Sequence, residues 1–221
     1  MMIRRAWRVA ATLSLTFALF GARSAMSEEW RALFDGKSLD GWEHVGPGQF
    51  VVEDGTLKTE GGMGLLWYTR EKLGDCVIRV VYRGHAERAN SGVYVRIADK
   101  PADPWFAVHN GFEVQVLDAG SPGGSTGAVY TFAPSQNRPA RPLGWNTLEI
   151  TLKGDRITTR LNDVPVADFD SSTLTDDAET KEGPGDPSRR PRPQAGYIGL
   201  QNHDDKSIVS YKEISVRPLA E

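Results

Sequence analysis

Apolar and polar residues alternate over short runs along most of this chain, which is the pattern of half-buried β-strands. Glycine-rich turns separate these runs, and no stretch shows the 3.6-residue period of an amphipathic helix. Asp54-Gly55 and Gly154-Asp155 are two-residue turn signals between neighbouring strands. The predicted strands are 50–53, 56–58, 64–68, 75–83, 92–97, 112–117, 128–132, 146–153, 156–162, 197–202 and 208–216.

Many short strands joined by tight turns predict an all-β fold, either a sandwich or a barrel. Three segments, 98–110, 119–127 and 171–195, are interpreted as long loops. Loops of this length in a compact domain are usually functional or disordered, so the third is read either as a lid or as a flexible excursion. Because the strands after it are needed to complete the sandwich, residues 28–221 are predicted to form one domain.

The N-terminus has the composition of an export signal. Arg4, Arg5 and Arg8 precede an apolar run over residues 9–20, and small residues follow it. Residues 1–24 are therefore predicted to be a signal peptide, and the apolar run is too short to span a bilayer in the mature protein. We expect an exported protein, periplasmic or secreted, with no membrane association in its mature form.

The net charge and the cysteine content exclude several classes of partner and site. The formal net charge is −3 at pH 7. Loss of the signal peptide removes four arginines and no acidic residue, which leaves a charge of about −7. A mildly acidic exported domain is not expected to bind nucleic acid. Cys76 is the only cysteine and lies in an apolar strand, which excludes a disulfide framework and a cysteine-based zinc site.

The predicted strand 112–117 carries the first sign of chemistry. Alternation places three apolar residues on one face and Glu113 and Gln115 on the other. Residues two apart lie about 7 Å from each other along one side of a strand. That spacing suits two side chains that bind the hydroxyl groups of a polyol, or one that acts as a base beside it. Taken alone, however, the strand is explained more simply as an exposed sheet face.

Two further strands repeat this arrangement. Alternation gathers polar and aromatic residues on one side of the segments 90–97 and 197–203: Asn90, Tyr94, Arg96, Tyr197, Gln201 and His203. Gly92 and Gly199 lie in the same rows and are expected to leave room for a ligand. Three such faces together favour a single concave site. A sugar suits it, because sugars present hydroxyl groups at their edges and C–H groups on their faces.

Alternation alone does not place Asp118 and His203 on the polar face. Asp118 lies five residues after Glu113, so an ideal strand points it to the opposite face unless a bulge or the strand end returns it. His203 precedes Asp204 and Asp205, which can orient its imidazole or help to bind a cation. Such residues are compatible with a divalent metal, but no close ligand spacing is present, and the sequence requires no cofactor.

At these residues the chain resembles the 3-keto-disaccharide hydrolase domain family. The resemblance begins with LFDGKSLDGW at 33–42, continues through 90–96, 111–118 and 145–149, and ends at 196–203. It implies a concanavalin A-like jelly-roll β-sandwich of two antiparallel sheets, with a sugar site on its concave face. It also implies glycoside substrates whose C3 hydroxyl is already a ketone. The carbonyl acidifies the C2 proton, so a base can remove it, the C1 substituent leaves by elimination, and water adds back.

That chemistry needs a base near C2, an electrophile at the C3 oxygen and an acid for the leaving group. On the basis of the resemblance, we assign Arg96 to the enolate oxygen or a hydroxyl, and Glu113 or His203 to the base. The predicted substrate-binding residues are Asn90, Tyr94, Gln115, Asp118, Tyr197 and Gln201.

Two other functions compete with this one. Laminarinase-type glycanases share the fold and carry a Glu-Asp-Glu rhythm on one strand, at offsets comparable to Glu113, Gln115 and Asp118 here. Retaining glycosidases need two carboxyl groups about 5 Å apart, so Gln115 disfavours that mechanism. Lectins also share the fold, and a non-catalytic carbohydrate-binding module is the main alternative.

Overall fold

Two antiparallel β-sheets form this protein, as shown by a computed structural model that describes residues 29–175 and 189–219. The strands of these ranges are β1 (Arg31–Ala32), β2 (Trp42–Val45), β3 (Gln49–Glu53), β4 (Thr56–Glu60), β5 (Gly64–Tyr68), β6 (Cys76–Gly84), β7 (Ser91–Ile97), β8 (Phe112–Val116), β9 (Asn146–Lys153), β10 (Arg156–Leu161), β11 (Val164–Asp170), β12 (Tyr197–Asn202) and β13 (Val209–Pro218). One α-helix of the described residues, α1 (Pro104–Asn110), interrupts the strands.

The large sheet has the order β11-β10-β9-β6-β13-β4-β3, with β1 paired to β13, and the small sheet has the order β2-β5-β12-β7-β8. The predicted turn at Asp54-Gly55 joins β3 to β4, and both residues have positive φ, 49° and 74°. A turn with two positive φ angles matches the twist of a hairpin, which is why Asp-Gly favours it. The predicted all-β sandwich of two antiparallel sheets is confirmed.

The core lies between the two sheets and follows the alternation of the sequence. The aliphatic face of the small sheet is fully buried there, including Val93, Val95, Val114, Ile198 and Leu200. The large sheet covers it with its own aliphatic face. The opposite, outer face of the small sheet is therefore left to carry the polar residues of the same strands.

Several elements differ from the prediction. The predicted loop 98–110 contains α1, whose N-cap Asp103 accepts a hydrogen bond from the Phe106 backbone N–H at 3.0 Å and is followed by Pro104. Seven residues are too few to reveal a helical period. Strands β1, β2 and β11 were not predicted. The predicted strand 128–132 is absent, because Val129 makes only isolated bridges.

The prediction that Arg96 shares a face with Tyr94 is wrong. The pairing of β7 with β12 shifts register between Tyr197 and Gly199, and Arg96 adopts a positive φ of 55°. This bulge exchanges the two sides, so that Ile97 moves to the outer face and Arg96 turns inward. The Gly196 backbone fits tightly here, since a methyl group on it would lie 2.4 Å from the Arg96 backbone.

Two predicted segments are not covered by the structure. The predicted signal peptide, residues 1–24, lies outside the described residues, and so do residues 176–188 of the predicted loop 171–195. In the part of the chain that is described, no helix has the length and apolarity needed to cross a membrane.

The Asn146 side chain connects several loops at one end of the sandwich. It is fully buried, and its Oδ1 accepts hydrogen bonds at 2.8 Å from the Arg141 backbone N–H and from Asn162 Nδ2. Its Nδ2 donates to the carbonyls of Arg141 and Gly144 at 3.1 and 3.2 Å, and lies 3.4 Å from Asp118 Oδ2. Both ends of the amide are thus used to satisfy buried backbone groups.

We expect Asn146→Ala to lower the free energy of unfolding by roughly 2 to 4 kcal/mol, because it leaves several buried polar groups without partners. Urea denaturation followed by circular dichroism measures this loss. Asn137→Ala is the matched control, since Asn137 is exposed and donates one hydrogen bond, to the Pro165 carbonyl. Equal stability of the two variants would contradict the role given to Asn146.

Candidate functional site

A cleft of about 450 Å³ lies on the outer face of the small sheet, with α1 packed beside it. Its floor comes from β8, β12 and the residues that flank β7 and β12. Its walls come from α1, the turn between β4 and β5, and the segment after β8. The residues that line it are Met63, Asn90, Trp105, Val108, Glu113, Gln115, Leu117, Gly124, Tyr130, Gln201 and His203.

Five of the nine predicted site residues meet in this cleft: Asn90, Glu113, Gln115, Gln201 and His203. Strand pairing brings them together, because Gln115 lies opposite Gly92 on β7, next to β12. Gln115 Nε2 donates a hydrogen bond to Asn90 Oδ1 at 2.6 Å. The two amides therefore orient each other and leave further N–H groups to bind oxygen atoms of a ligand.

The Glu113 carboxylate lies across Gly92 of the neighbouring strand. A methyl group at position 92 would lie 2.4 Å from Glu113 Oε1 and 2.8 Å from its Cγ. The expectation that Gly92 makes room for a ligand is thus corrected, because the space is occupied by the Glu113 side chain. Gly199 is corrected likewise, since Leu65 Cδ1 would lie 2.7 Å from a methyl group there.

Tyr94 lies beneath Glu113 and holds its second oxygen. The Tyr94 hydroxyl donates to Glu113 Oε2 at 3.2 Å and accepts a hydrogen bond from Gln201 Nε2 at 2.8 Å. The Tyr94 ring is buried in an apolar cluster with Val108 of α1 and does not line the cleft. The part of Tyr94 in the site is to position the Glu113 carboxylate. The other end of the Gln201 amide, Oε1, is buried and has no hydrogen-bond partner among the described residues.

Burial raises the pKa of Glu113 to about 7, although the hydrogen bond from Tyr94 works in the opposite direction. A carboxyl group of this kind exists in both protonation states near neutral pH. It can therefore accept a proton from carbon or return one without a large mismatch in driving force. Among the described residues that line the cleft, Glu113 is the only carboxylate.

His203 stands at the end of β12 with its imidazole at the cleft. Its Nδ1 lies 2.7 Å from Asp204 Oδ2, so the carboxylate orients the ring and leaves Nε2 for a ligand. Burial raises the pKa of Asp204, but hydrogen bonds from His203, the Lys206 backbone N–H and Ser207 outweigh it and lower the pKa below its usual value. Asp204 is accordingly an anionic partner for the histidine at neutral pH.

Arg96 does not reach the cleft, contrary to its predicted catalytic position. The bulge in β7 directs it between the sheets, where it is fully buried and its Nη2 donates to the Gly154 carbonyl. Burial lowers the pKa of Arg96, while Asp155 and Asp75 raise it. Its location makes it a structural residue at the β9–β10 turn of the large sheet.

Asp118 also lies outside the cleft. Strand β8 ends at Val116, and Asp118 remains on the inner side, where its Oδ1 accepts hydrogen bonds from the Tyr82 hydroxyl at 2.6 Å and Thr126 Oγ1 at 2.9 Å. Burial raises the pKa of Asp118 against these two hydrogen bonds. Tyr197 also lies outside the cleft, and its ring packs edge-on against Trp67 with a centroid separation of 4.9 Å.

Sequence reasoning missed the apolar half of the cleft: Met63, Trp105, Val108, Leu117, Gly124 and Tyr130. Trp105 and Val108 lie on α1, which the short helical segment did not reveal. The Asp103-Pro104 pair, an N-cap followed by proline, is the one local signal that could have predicted this helix. Trp105 keeps 39% of its surface exposed at the cleft.

The residues predicted to suit a divalent metal do not form a cluster. Over 29–175 and 189–219, no group of three His, Cys, Asp or Glu side chains is close enough to hold an ion. Cys76, which the sequence placed in an apolar strand, is buried, and burial raises the pKa of its thiol to about 12.

Solved structures of carbohydrate-related proteins share this fold. A Parabacteroides distasonis protein, provisionally named a glycosyl hydrolase, is 26% identical, with a TM-score of 0.69 over 86% of this chain and 100% of its own. A second from the same species is 20% identical, with a TM-score of 0.68 over 86% and 94%. The carbohydrate-binding module CBM66 from Bacillus subtilis is 14% identical, with a TM-score of 0.55 over 80% and 95%.

These likenesses confirm the predicted concanavalin A-like jelly-roll sandwich. A comparison with curated proteins finds no match. A family model described as the 3-keto-alpha-glucoside-1,2-lyase-like domain matches residues 29–217, which is most of the chain. Family and fold indicate a carbohydrate-active protein, either glycosyl hydrolase-like or carbohydrate-binding. The chain thus belongs to the family of 3-keto-alpha-glucoside-1,2-lyase-like domains, as its resemblance to 3-keto-disaccharide hydrolases predicted.

Proposed function

We propose that this protein is an exported, periplasmic or secreted enzyme that cleaves 3-keto-glycosides, with Glu113 as the base that removes the C2 proton. The observation that carries the proposal is a carboxylate on the cleft floor, with a pKa of about 7, held by a buried tyrosine. A proton next to a ketone is acidic enough for such a base, whereas an unactivated glycosidic bond is not broken this way.

The position of Asp118 supports elimination over two-carboxylate hydrolysis. A retaining glycosidase requires a second carboxyl group about 5 Å from the first, on the other side of the bond to be cleaved. The nearest candidate in sequence, Asp118, faces the large sheet and is bound to Tyr82 and Thr126. Glu113 therefore acts as a single carboxylate in this proposal.

The remaining polar groups of the cleft take the other roles. The amide N–H groups of Asn90 and Gln115 donate to the C3 oxygen as it gains negative charge, the role that the family resemblance assigned to Arg96. His203, oriented by Asp204, donates a proton to the departing C1 oxygen. After elimination, the same pair activates the water that adds back. Gln201 Nε2 donates to the Tyr94 hydroxyl and so helps to hold the base in place.

We expect Glu113→Gln to lower turnover of 3-keto-disaccharides at least about 1,000-fold, because the amide cannot accept the C2 proton. Release of monosaccharide, followed by chromatography, measures the rate. Affinity for the same sugar, measured by calorimetry, should change little, since the side chain keeps its size. Glu43→Gln is the matched control, because Glu43 is an exposed glutamate of the same sheet outside the cleft.

Deuterium incorporation separates this mechanism from the alternatives. In D2O the wild-type product should carry deuterium at C2, whereas an ordinary glycosidase leaves that position unlabelled. A carbohydrate-binding module would bind the sugar without releasing a product from any 3-keto-glycoside. The absence of both turnover and C2 exchange over a panel of linkages and anomers would refute the enzymatic function.

The pH profile should report the state of Glu113. As a base it must be ionised, so the rising limb of the kcat/KM profile is expected to have its midpoint at a pH of about 7. Tyr94→Phe removes the hydrogen bond that lowers this pKa, so the rising limb should move to higher pH. An unchanged midpoint in Tyr94→Phe would mean that the titrating group is not Glu113.

The raised pKa of Glu113 should also make the folding stability of the protein depend on pH, whether or not the protein is an enzyme. The pKa of Glu113 is higher in the folded than in the unfolded protein. Protonated Glu113 therefore contributes its full share to folding stability below about pH 4.5, and this share is lost as the pH rises through about 7. Glu113→Gln should therefore be more stable than wild type at pH 8, by on the order of 2 to 3 kcal/mol. Urea denaturation at pH 4.5 and pH 8 measures the difference, which should vanish at the lower pH.

A further inference from the structure

We infer that a polar hollow next to His203 binds polyols, and that the protein therefore also transfers the 3-keto-glycosyl unit to sugars and other polyols in place of water. This inference rests on the proposed function and adds a second activity to it. The hollow has a volume of about 510 Å³, and Arg88, Asp204, Asp205 and Lys206 are among the residues that line it.

The hollow and the cleft share a wall. His203 lines the cleft, the next residue, Asp204, lines the hollow, and His203 Nδ1 lies 2.7 Å from Asp204 Oδ2. On the neighbouring segment, Asn90 lines the cleft and Ala89 lines the hollow. Ser207 joins the two segments, because its Oγ accepts a hydrogen bond from the Asn90 backbone N–H and donates one to Asp204 Oδ2, both at 3.0 Å. His203 therefore stands at the boundary between the two cavities.

The strand register gives the direction from the base to this boundary. The Glu113 carboxylate lies over Gly92 of β7. Asn90 precedes Gly92 by two residues, which is about 7 Å along a strand, and the pairing of β12 with β7, continued to its end, places His203 opposite Asn90. In the proposed function C2 lies at Glu113 and the C1 oxygen lies at His203. The group that C1 carries consequently extends past His203 toward the hollow.

The side chains of the hollow suit a compound with several hydroxyl groups. Arg88, Asp205 and Lys206 are exposed, and their side chains make no hydrogen bond or ion pair with the described part of the chain. The two cations donate hydrogen bonds and the carboxylate accepts them, whereas a sugar hydroxyl does both. An alcohol with a plain alkyl chain gains none of these contacts.

Elimination leaves the site in the state that addition of an alcohol requires. The sugar then has a C1=C2 double bond conjugated with the C3 ketone, Glu113 carries the C2 proton, and His203 has given its proton to the leaving group. An acceptor hydroxyl forms a bond from its oxygen to C1, His203 Nε2 takes the hydroxyl proton, and Glu113 returns a proton to C2. No oxidation or reduction occurs, and both residues regain their starting protonation states.

Water and alcohols add by the same step, so the occupant of the hollow decides which product forms. A polyol held beside His203 has a high effective concentration at C1. The hollow that receives a departing sugar thus also supplies an attacking one, as microscopic reversibility requires.

The test uses the methyl 3-keto-glucoside of the productive anomer as donor, with glycerol and 1-propanol present together at equal concentration. Both acceptors have three carbons and a primary hydroxyl group, but only glycerol has further hydroxyl groups for the hollow. We expect the glyceryl product to exceed the propyl product by about tenfold or more, the gain from additional hydrogen bonds to charged groups. Mass spectrometry measures the two transfer products and the hydrated sugar. In D2O the transfer products should carry deuterium at C2.

Variants of the hollow locate the effect. Arg88→Ala and Lys206→Ala remove donors, and Ala86→Trp fills the hollow without removing a charge. Each should lower the glyceryl-to-propyl ratio several-fold. Because both products form in one mixture, the ratio does not depend on the amount of active protein. Lys100→Ala is the matched control, since Lys100 is exposed and lines neither cavity.

Each other outcome overturns the inference. Hydrolysis of the methyl glycoside without any transfer product would do so and would leave the proposed function intact. Equal yields of the two transfer products, or a glyceryl preference that persists in Ala86→Trp, would place the acceptor outside the hollow. Transfer products that keep hydrogen at C2 in D2O would exclude addition to the double bond.

Failure of the proposed function gives a different result. In that case the wild type neither cleaves the methyl glycoside nor exchanges its C2 proton, and the transfer activity fails with it. The polyol site is then judged by affinity. Calorimetry should show that the glyceryl 3-keto-glucoside binds more tightly than the propyl compound, with the difference abolished in Ala86→Trp. Equal affinities in the wild type would refute the polyol site as well.

Discussion

The small sheet must pack its aliphatic face against the large sheet, and this constraint determines what its other face can carry. Val93, Val114 and Leu200 are fully buried between the sheets, which commits the alternate residues of the same strands to the outside. Without α1 that outer face would be solvated. The helix covers part of it, and the remainder becomes a cleft whose floor is polar and whose wall is apolar.

Within that cleft the chemistry depends on how one carboxylate is held. Glu113 can lie flat on the sheet only because Gly92 has no side chain, and burial then raises its pKa to about 7. Tyr94 limits the rise by donating a hydrogen bond, and Gln201 in turn fixes the tyrosine. The position and the raised pKa of this carboxylate are thus set by the packing of three adjacent strands before any ligand binds.

Strand alternation predicts correctly which face of the sheet a side chain occupies where the strand is regular, and it fails where the strand contains a bulge. It predicted correctly that Asn90, Gln115, Gln201 and His203 would meet Glu113, since these residues lie on regular parts of β7, β8 and β12 or at their ends. It failed at Arg96, because one bulged residue with positive φ reverses the parity of everything beyond it. A bulge depends on how two strands align, and a single strand contains no record of that.

What the sequence determined by itself is the class of fold and the floor of the site, because both follow from the two-residue period of a strand and from turn signals such as Asp54-Gly55. Only the tertiary structure decided which residues form the apolar wall of the cleft and how burial shifts the pKa of its carboxylate. The seven residues of α1 are too short to show a period, yet they bring Trp105 and Val108 to the cleft. The raised pKa of Glu113 and the inward position of Asp118 arise from burial among residues distant in sequence.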